Sequence, residues 1–127
     1  MKKQTAKWVR KAEDDLIVVR AVEHNKPPVH DEICYHCQQS AEKYLKALLQ
    51  EWGLVPPRTH SLILLLSLLQ PNDATLKTLK RPLKSLARYA VEIRYPNGRA
   101  RKRQAVAAIR HAYDVRREIR ARLGLTP

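Results

Sequence analysis

The stretch HDEICYHCQQSAEKYLKALLQEW, residues 30–52, decides the fold class. Its residues Ile33, Cys37, Ala41, Tyr44, Leu48 and Trp52 recur every three or four positions. That is the period of one face of an α-helix and not the alternation of a strand. Gly53 supplies a stop, and Pro56-Pro57 stiffens the loop beyond it. The stretch predicts a helix over 30–52.

The same period continues outward in both directions. Upstream, Trp8, Ala12, Leu16, Val19 and Val22 predict a helix over 5–24, ended by Asn25-Lys26-Pro27-Pro28, because consecutive prolines cannot continue one. Downstream, Thr59 reads as the N-cap of a short helix over 61–69. Leu62 to Leu66 is apolar on every side, so this piece is expected to plug into the core. Pro71-Asn72-Asp73 is a turn, and Asp73 caps a fourth helix over 74–93 with Leu76, Leu79, Leu83, Ala87 and Ala90 inward and a kink at Pro82. After Tyr95-Pro96-Asn97-Gly98, a fifth helix over 99–123 buries Ala105, Ile109, Ala112, Val115, Ile119 and Leu123. Four long amphipathic helices with short connections predict an all-α fold, an up-and-down four-helix bundle with an extra short helix, with residues 1–127 as a single domain. Three glycines and no phenylalanine argue against a sheet.

The net charge of +13 is unevenly placed. Residues 1–79 hold eleven Lys/Arg against nine Asp/Glu, whereas residues 80–127 hold fourteen against three. A solvated network of ion pairs needs both signs, and here one dominates. The imbalance points to an anionic partner, RNA, a nucleotide or an acidic protein. The longest apolar run, Leu62 to Leu69, is far short of the roughly 20 residues a bilayer requires, so no membrane association is expected. No stretch reads as a secretion signal, which makes the two cysteines reduced thiols and the expected compartment the cytoplasm.

Charged residues on apolar faces are the candidates for a buried polar cluster. Asp15 shares a direction with Trp8, Val19 and Val22, Arg94 with Leu76, Leu83 and Ala87, and Arg116 with Ile109, Ala112 and Ile119. A buried charge needs a partner, so Asp15 is expected to meet Arg94 or Arg116. Such a pair either fixes helix register or forms a polar pocket in which one arginine faces a phosphate. Arg103, Arg110 and Arg117 recur every seven residues opposite the apolar stripe, with Arg99 extending the line. This ladder of guanidinium groups suits phosphates or carboxylates.

Other chemistry finds less support. Cys34-Tyr35-His36-Cys37, with His30 upstream, has metal-like spacing but lies mid-helix and lacks a second Cys/His pair, and Cys37 is on the core stripe. No metal and no cofactor is therefore expected. There is no Gly-rich phosphate loop, nucleophile elbow or His-Glu-x-x-His motif. Glu13-Asp14-Asp15 fans around its helix and makes no convergent carboxylate pair.

Three stretches together resemble the HEPN family of small helical bundles. They are Trp8 through Ala12 to Asp15-Leu16, then Tyr35-His36-Cys37-Gln38-Gln39-Ser40-Ala41-Glu42-Lys43 with Thr59-His60 after it, and Ile93-Arg94-Tyr95-Pro96. The resemblance covers nearly the whole chain. It implies a bundle that forms homodimers. It also implies relatives that pair with a minimal nucleotidyltransferase in toxin–antitoxin fashion, and some that are metal-independent RNases. The RNase motif of such relatives is Arg, four to six residues, then His. Arg94 matches its arginine, but Arg99, Ala100 and Arg101 occupy the histidine positions, and no arginine precedes His111 at the required distance. Without a group that titrates near neutrality, nothing there would move a 2′-hydroxyl proton. The expected function is a non-catalytic module binding a nucleotide, RNA or a nucleotidyltransferase partner, with Arg94, Arg99, Arg103, Arg110 and Arg117 contacting the anion. The alternatives are an endoribonuclease toxin using Arg94 with His36 or His111, and a structural oligomerisation bundle.

Overall fold

In the computed structural model every residue is described except Val91, Glu92 and Arg94. The described residues form helices and no strands: α1 (Lys3–Val22), α2 (His30–Glu51), α3 (Leu62–Leu69), α4 (Lys80–Ala87) and α5 (Lys102–Arg122), with 3-10 segments Ala74–Leu79 and Arg88–Ala90 flanking α4. No helix among them is long and apolar enough to cross a membrane.

Helix α2 is the hub, packed by α1, α5, α3 and α4. Its predicted stripe from Ile33 to Leu48 is buried, but so are Cys34, Leu45, Ala47 and Leu49 on the other sides. The periodicity marked only one of the faces that its neighbours cover. α1 runs antiparallel to α2, the Lys2 amide donating to Glu51 at 2.9 Å. α5 runs in the same sense as α2, since the Ala100 amide donates to Asp31 near the start of α2 and Arg120 reaches Tyr44 further along. α1 and α5 both lean on α2 and meet each other through side chains, Arg20 donating to Tyr113 and Arg116 to Glu13.

The stops work as the glycines suggest. Gly53 has φ +82°. Its amide donates to the Gln50 carbonyl while that of Leu54 donates to Leu49, the paired closure that a left-handed residue permits. Gly124, φ +74°, closes α5 in the same way through Ala121 and Arg120.

Several elements differ from expectation. The long fourth helix is instead a 3-10 segment, an eight-residue α-helix and a 3-10 turn. Pro82 lies in the first turn of α4, where its missing N–H costs no hydrogen bond, so no kink is needed. Leu86 and Tyr89 are buried there, and Ala87 and Ala90 are half-exposed. Asp73 does cap this region, accepting from the Thr75 amide. α3 is capped by Ser61 and not by Thr59, whose hydroxyl instead accepts from the Ser61 amide. α3 is also not apolar-buried all round, because Leu64 and Leu68 face out. Trp8, Val22, Trp52, Ile109 and Leu123 pack against the core only half-buried.

Candidate functional site

The polar clusters arise where α1 flanks α2. On α1, Ala12, Leu16 and Val19 face the core. Glu13 and Asp15 stand on opposite flanks of that stripe, about 80° to either side of its centre. Asp15 is 7% exposed and accepts from Lys43 Nζ at 2.6 Å and from His36 Nδ1 at 2.8 Å. The expected pairing with Arg116 is therefore replaced by one with two residues of α2, because the flank carrying Asp15 turns away from α5. Arg94, the other expected partner, lies outside the described residues.

Arg116 takes Glu13 instead, through Nε to Oε2 at 2.9 Å and Nη2 to Oε1 at 3.0 Å. The Tyr44 hydroxyl donates to the same carboxylate, and Arg120 donates to Tyr44 at 3.2 Å. Burial opposes ionisation of Glu13, but the hydrogen bonds from Arg116 and Tyr44 outweigh it and hold the carboxyl below its ordinary value. Burial, then the bond to Glu13, pushes the Tyr44 phenol up to about 12.

A second cluster was not anticipated. Glu42, 3% exposed, accepts from Lys46 Nζ at 3.1 Å and contacts His60 Nδ1 at 2.9 Å, and Lys46 lies 5.5 Å from the centroid of Trp8. It repeats the Lys–carboxylate–His pattern of Asp15. The only sequence signal was that the Gln-Gln-x-x-Glu-Lys run and Thr59-His60 belong to one resemblance. Their meeting depends on how the 53–61 loop returns to α2, which periodicity does not encode.

The basic residues of the second half divide sharply. Arg122 binds Asp73 at 2.8 Å and Glu118 at 3.2 Å, and Arg117 binds Asp114 at 3.0 Å, so the outermost rung of the expected ladder is neutralised. Arg103 and Arg110 are exposed with no ion pair among the described residues, as are Arg99, Arg101 and Lys102. Arg99 precedes α5 and so stands off the helical line. With Ala100 it lines two clefts of about 350 and 310 Å³, one bordered by His30 and Asp31, the other by Tyr89 and Gln104.

The thiols are core groups: Cys34 and Cys37 are buried, and burial pushes Cys34 up to about 12 and Cys37 higher still. Among the described residues no three His, Cys, Asp or Glu side chains gather where they could hold a metal.

A HEPN domain family model matches residues 5–122. The chain belongs to the HEPN family. No match was found among curated proteins or solved structures. In this HEPN chain the positions that follow Arg94 after four to six intervening residues carry no base. Arg99 and Arg101 are exposed guanidinium groups, which do not deprotonate in proteins, and the Ala100 amide is bound to Asp31. His36 is engaged by Asp15. His111 is half-buried, and burial together with the Arg110 charge lowers its pKa, Asp114 partly opposing them.

Proposed function

We propose that this HEPN protein is a non-catalytic binding module whose anion-holding face is the start and outer side of α5. Membership of the family points to a nucleotide- or RNA-related or toxin-like role. One observation carries the finer reading. Arg99, Arg101, Lys102 and Arg103 crowd the N-terminal end of α5, where no acidic residue occupies the first turn. The helix dipole is positive there, so each cation is held against an unfavourable field that a bound anion would relieve. The reading takes residues 1–127 as one cytoplasmic domain, acting as a homodimer or beside a nucleotidyltransferase partner in a toxin–antitoxin-like pair.

The test uses purified protein and labelled single-stranded RNA in the presence of a chelator. The expected result is binding without cleavage, weakening with salt by roughly 0.7 log units per log unit for each phosphate held. Metal-independent cleavage abolished by Arg94→Ala would overturn the reading in favour of an endoribonuclease. Neither binding nor cleavage, of RNA or of nucleotides, would leave a structural oligomerisation bundle.

A further inference from the structure

A second basic surface lies on α1, away from the start of α5. Residues 1–12 hold Lys2, Lys3, Lys7, Arg10 and Lys11 and no acidic residue. Lys3, Lys7 and Lys11 recur every four positions, which sets them in a row along the helix with about 6 Å of rise between neighbours. All three are exposed, and none makes an ion pair among the described residues. Like charges at this spacing repel, and no acidic residue occupies the first turn to offset the helix dipole. An anion held along the row would relieve both.

The row borders an aromatic hollow. Gln4, Lys7, Trp8 and Lys11 line a single cavity of about 200 Å³. All four belong to α1. The Lys46 ammonium approaches the Trp8 ring from α2, 5.5 Å from its centroid, and is already held by Glu42 at 3.1 Å. It backs the indole without adding an unpaired charge. Trp8 itself is half-buried, packed on the core yet facing the hollow.

An aromatic ring, a carboxamide and two unpaired ammonium groups around one hollow match the parts of a nucleotide. A base packs against the indole, the Gln4 amide offers its edge a donor and an acceptor, and the lysines take phosphate. An acidic peptide would use the lysines and leave the indole without a partner. We infer that the hollow at Trp8 holds a nucleotide of single-stranded RNA, at a site separate from the face on α5. The two surfaces lie at opposite ends of α2: the Lys2 amide binds Glu51 at its end, and the Ala100 amide binds Asp31 at its start.

The chain has two tryptophans, so Trp52→Phe leaves Trp8 as the sole reporter and its fluorescence reads the hollow directly. The probes are an oligoadenylate, an abasic oligonucleotide of equal length, and polyglutamate. The oligoadenylate should quench Trp8, and the abasic strand should not. Lys7→Ala with Lys11→Ala, both exposed and so compatible with the fold, should shift the quenching midpoint at least fivefold. The same variant should reduce its slope against salt by roughly 1.4, the share of two phosphates. No quenching, equal quenching by both strands, or a midpoint indifferent to the two lysines would overturn the inference. So would polyglutamate displacing the oligoadenylate at equal affinity, because the occupant would then be an acidic protein segment. Arg103→Ala with Arg110→Ala should weaken total RNA binding, followed by anisotropy, and leave the Trp8 midpoint in place. A midpoint that moves with that variant would merge the two sites and overturn the inference. If total binding is unchanged while Trp8 is still quenched, the reading of α5 fails and the site at Trp8 stands.

Discussion

Arg110 and Arg116 are less than two turns apart on one helix and occupy opposite electrostatic settings. Arg116 is 19% exposed and bidentate on Glu13, inside a cluster that also holds Tyr44 and Arg120. Arg110 is exposed and has no ion pair among the described residues. The same division runs through the molecule. Glu13, Asp15 and Glu42 are each held by a cation that folding brings within reach, whereas the cations around the start of α5 make no ion pair among the described residues. Structural and unpaired charge thus lie on different parts of the same helix.

The division predicts opposite responses to substitution. The largest loss should follow Glu42→Ala, which leaves the 6%-exposed Lys46 ammonium buried without a carboxylate. Removing one partner of a buried pair costs about 3 kcal/mol, and chemical denaturation should show the midpoint falling at unchanged slope. Arg116→Ala should cost less, about 2 kcal/mol, because Glu13 keeps Tyr44 and has some access to water. Arg103→Ala with Arg110→Ala should change stability by no more than about 0.5 kcal/mol. The same variant should reduce the slope of RNA affinity against salt by roughly 1.4. An unfolding midpoint lowered as far as that of Arg116→Ala would erase the distinction between the two settings.

How much of this was legible follows the reach of each signal. The three long helices were readable because the 3.6-residue period of α1, α2 and α5 is unbroken and glycines or prolines end them. The fourth was overdrawn: Leu76, Leu79 and Leu83 fit an α-helical stripe, but positions three apart also share a face in a 3-10 helix, so spacing alone could not separate the two. That Asp15 was buried and paired was readable from its place beside an apolar stripe. Its partner was not, because Lys43 and His36 sit on the outward stripe of α2 and look solvated until α1 is laid over them. In the arginine ladder, Arg103 and Arg110 make no ion pair among the described residues, but the i, i+3 partner Asp114 takes Arg117, a pairing the sequence displays and the seven-residue repeat obscured.

The smallest effect sharpens the comparison from the side of pH. His111 lies beside Arg110 on α5, yet its ring is half-buried and its Nδ1 finds no hydrogen-bond partner among the described residues. Burial and the Arg110 charge both lower its pKa from the ordinary 6.5. The unfolded chain therefore takes up the proton first. The stability the neutral ring contributes is fully present above pH 6.5 and is lost as pH falls through the lower folded-state value. Thermal melts between pH 7.5 and about 5 should show a decline that His111→Gln reduces, since glutamine has no charge to acquire. Glu13 contributes its own loss only lower, below its ordinary 4.5, because its pKa is also depressed by folding. Arg110→Ala should shrink the His111 decline in part, leaving what burial alone imposes. If that substitution leaves the pH profile unchanged, Arg110 acts on solvent alone, and the outer face of α5 is electrically separate from the groups beneath it.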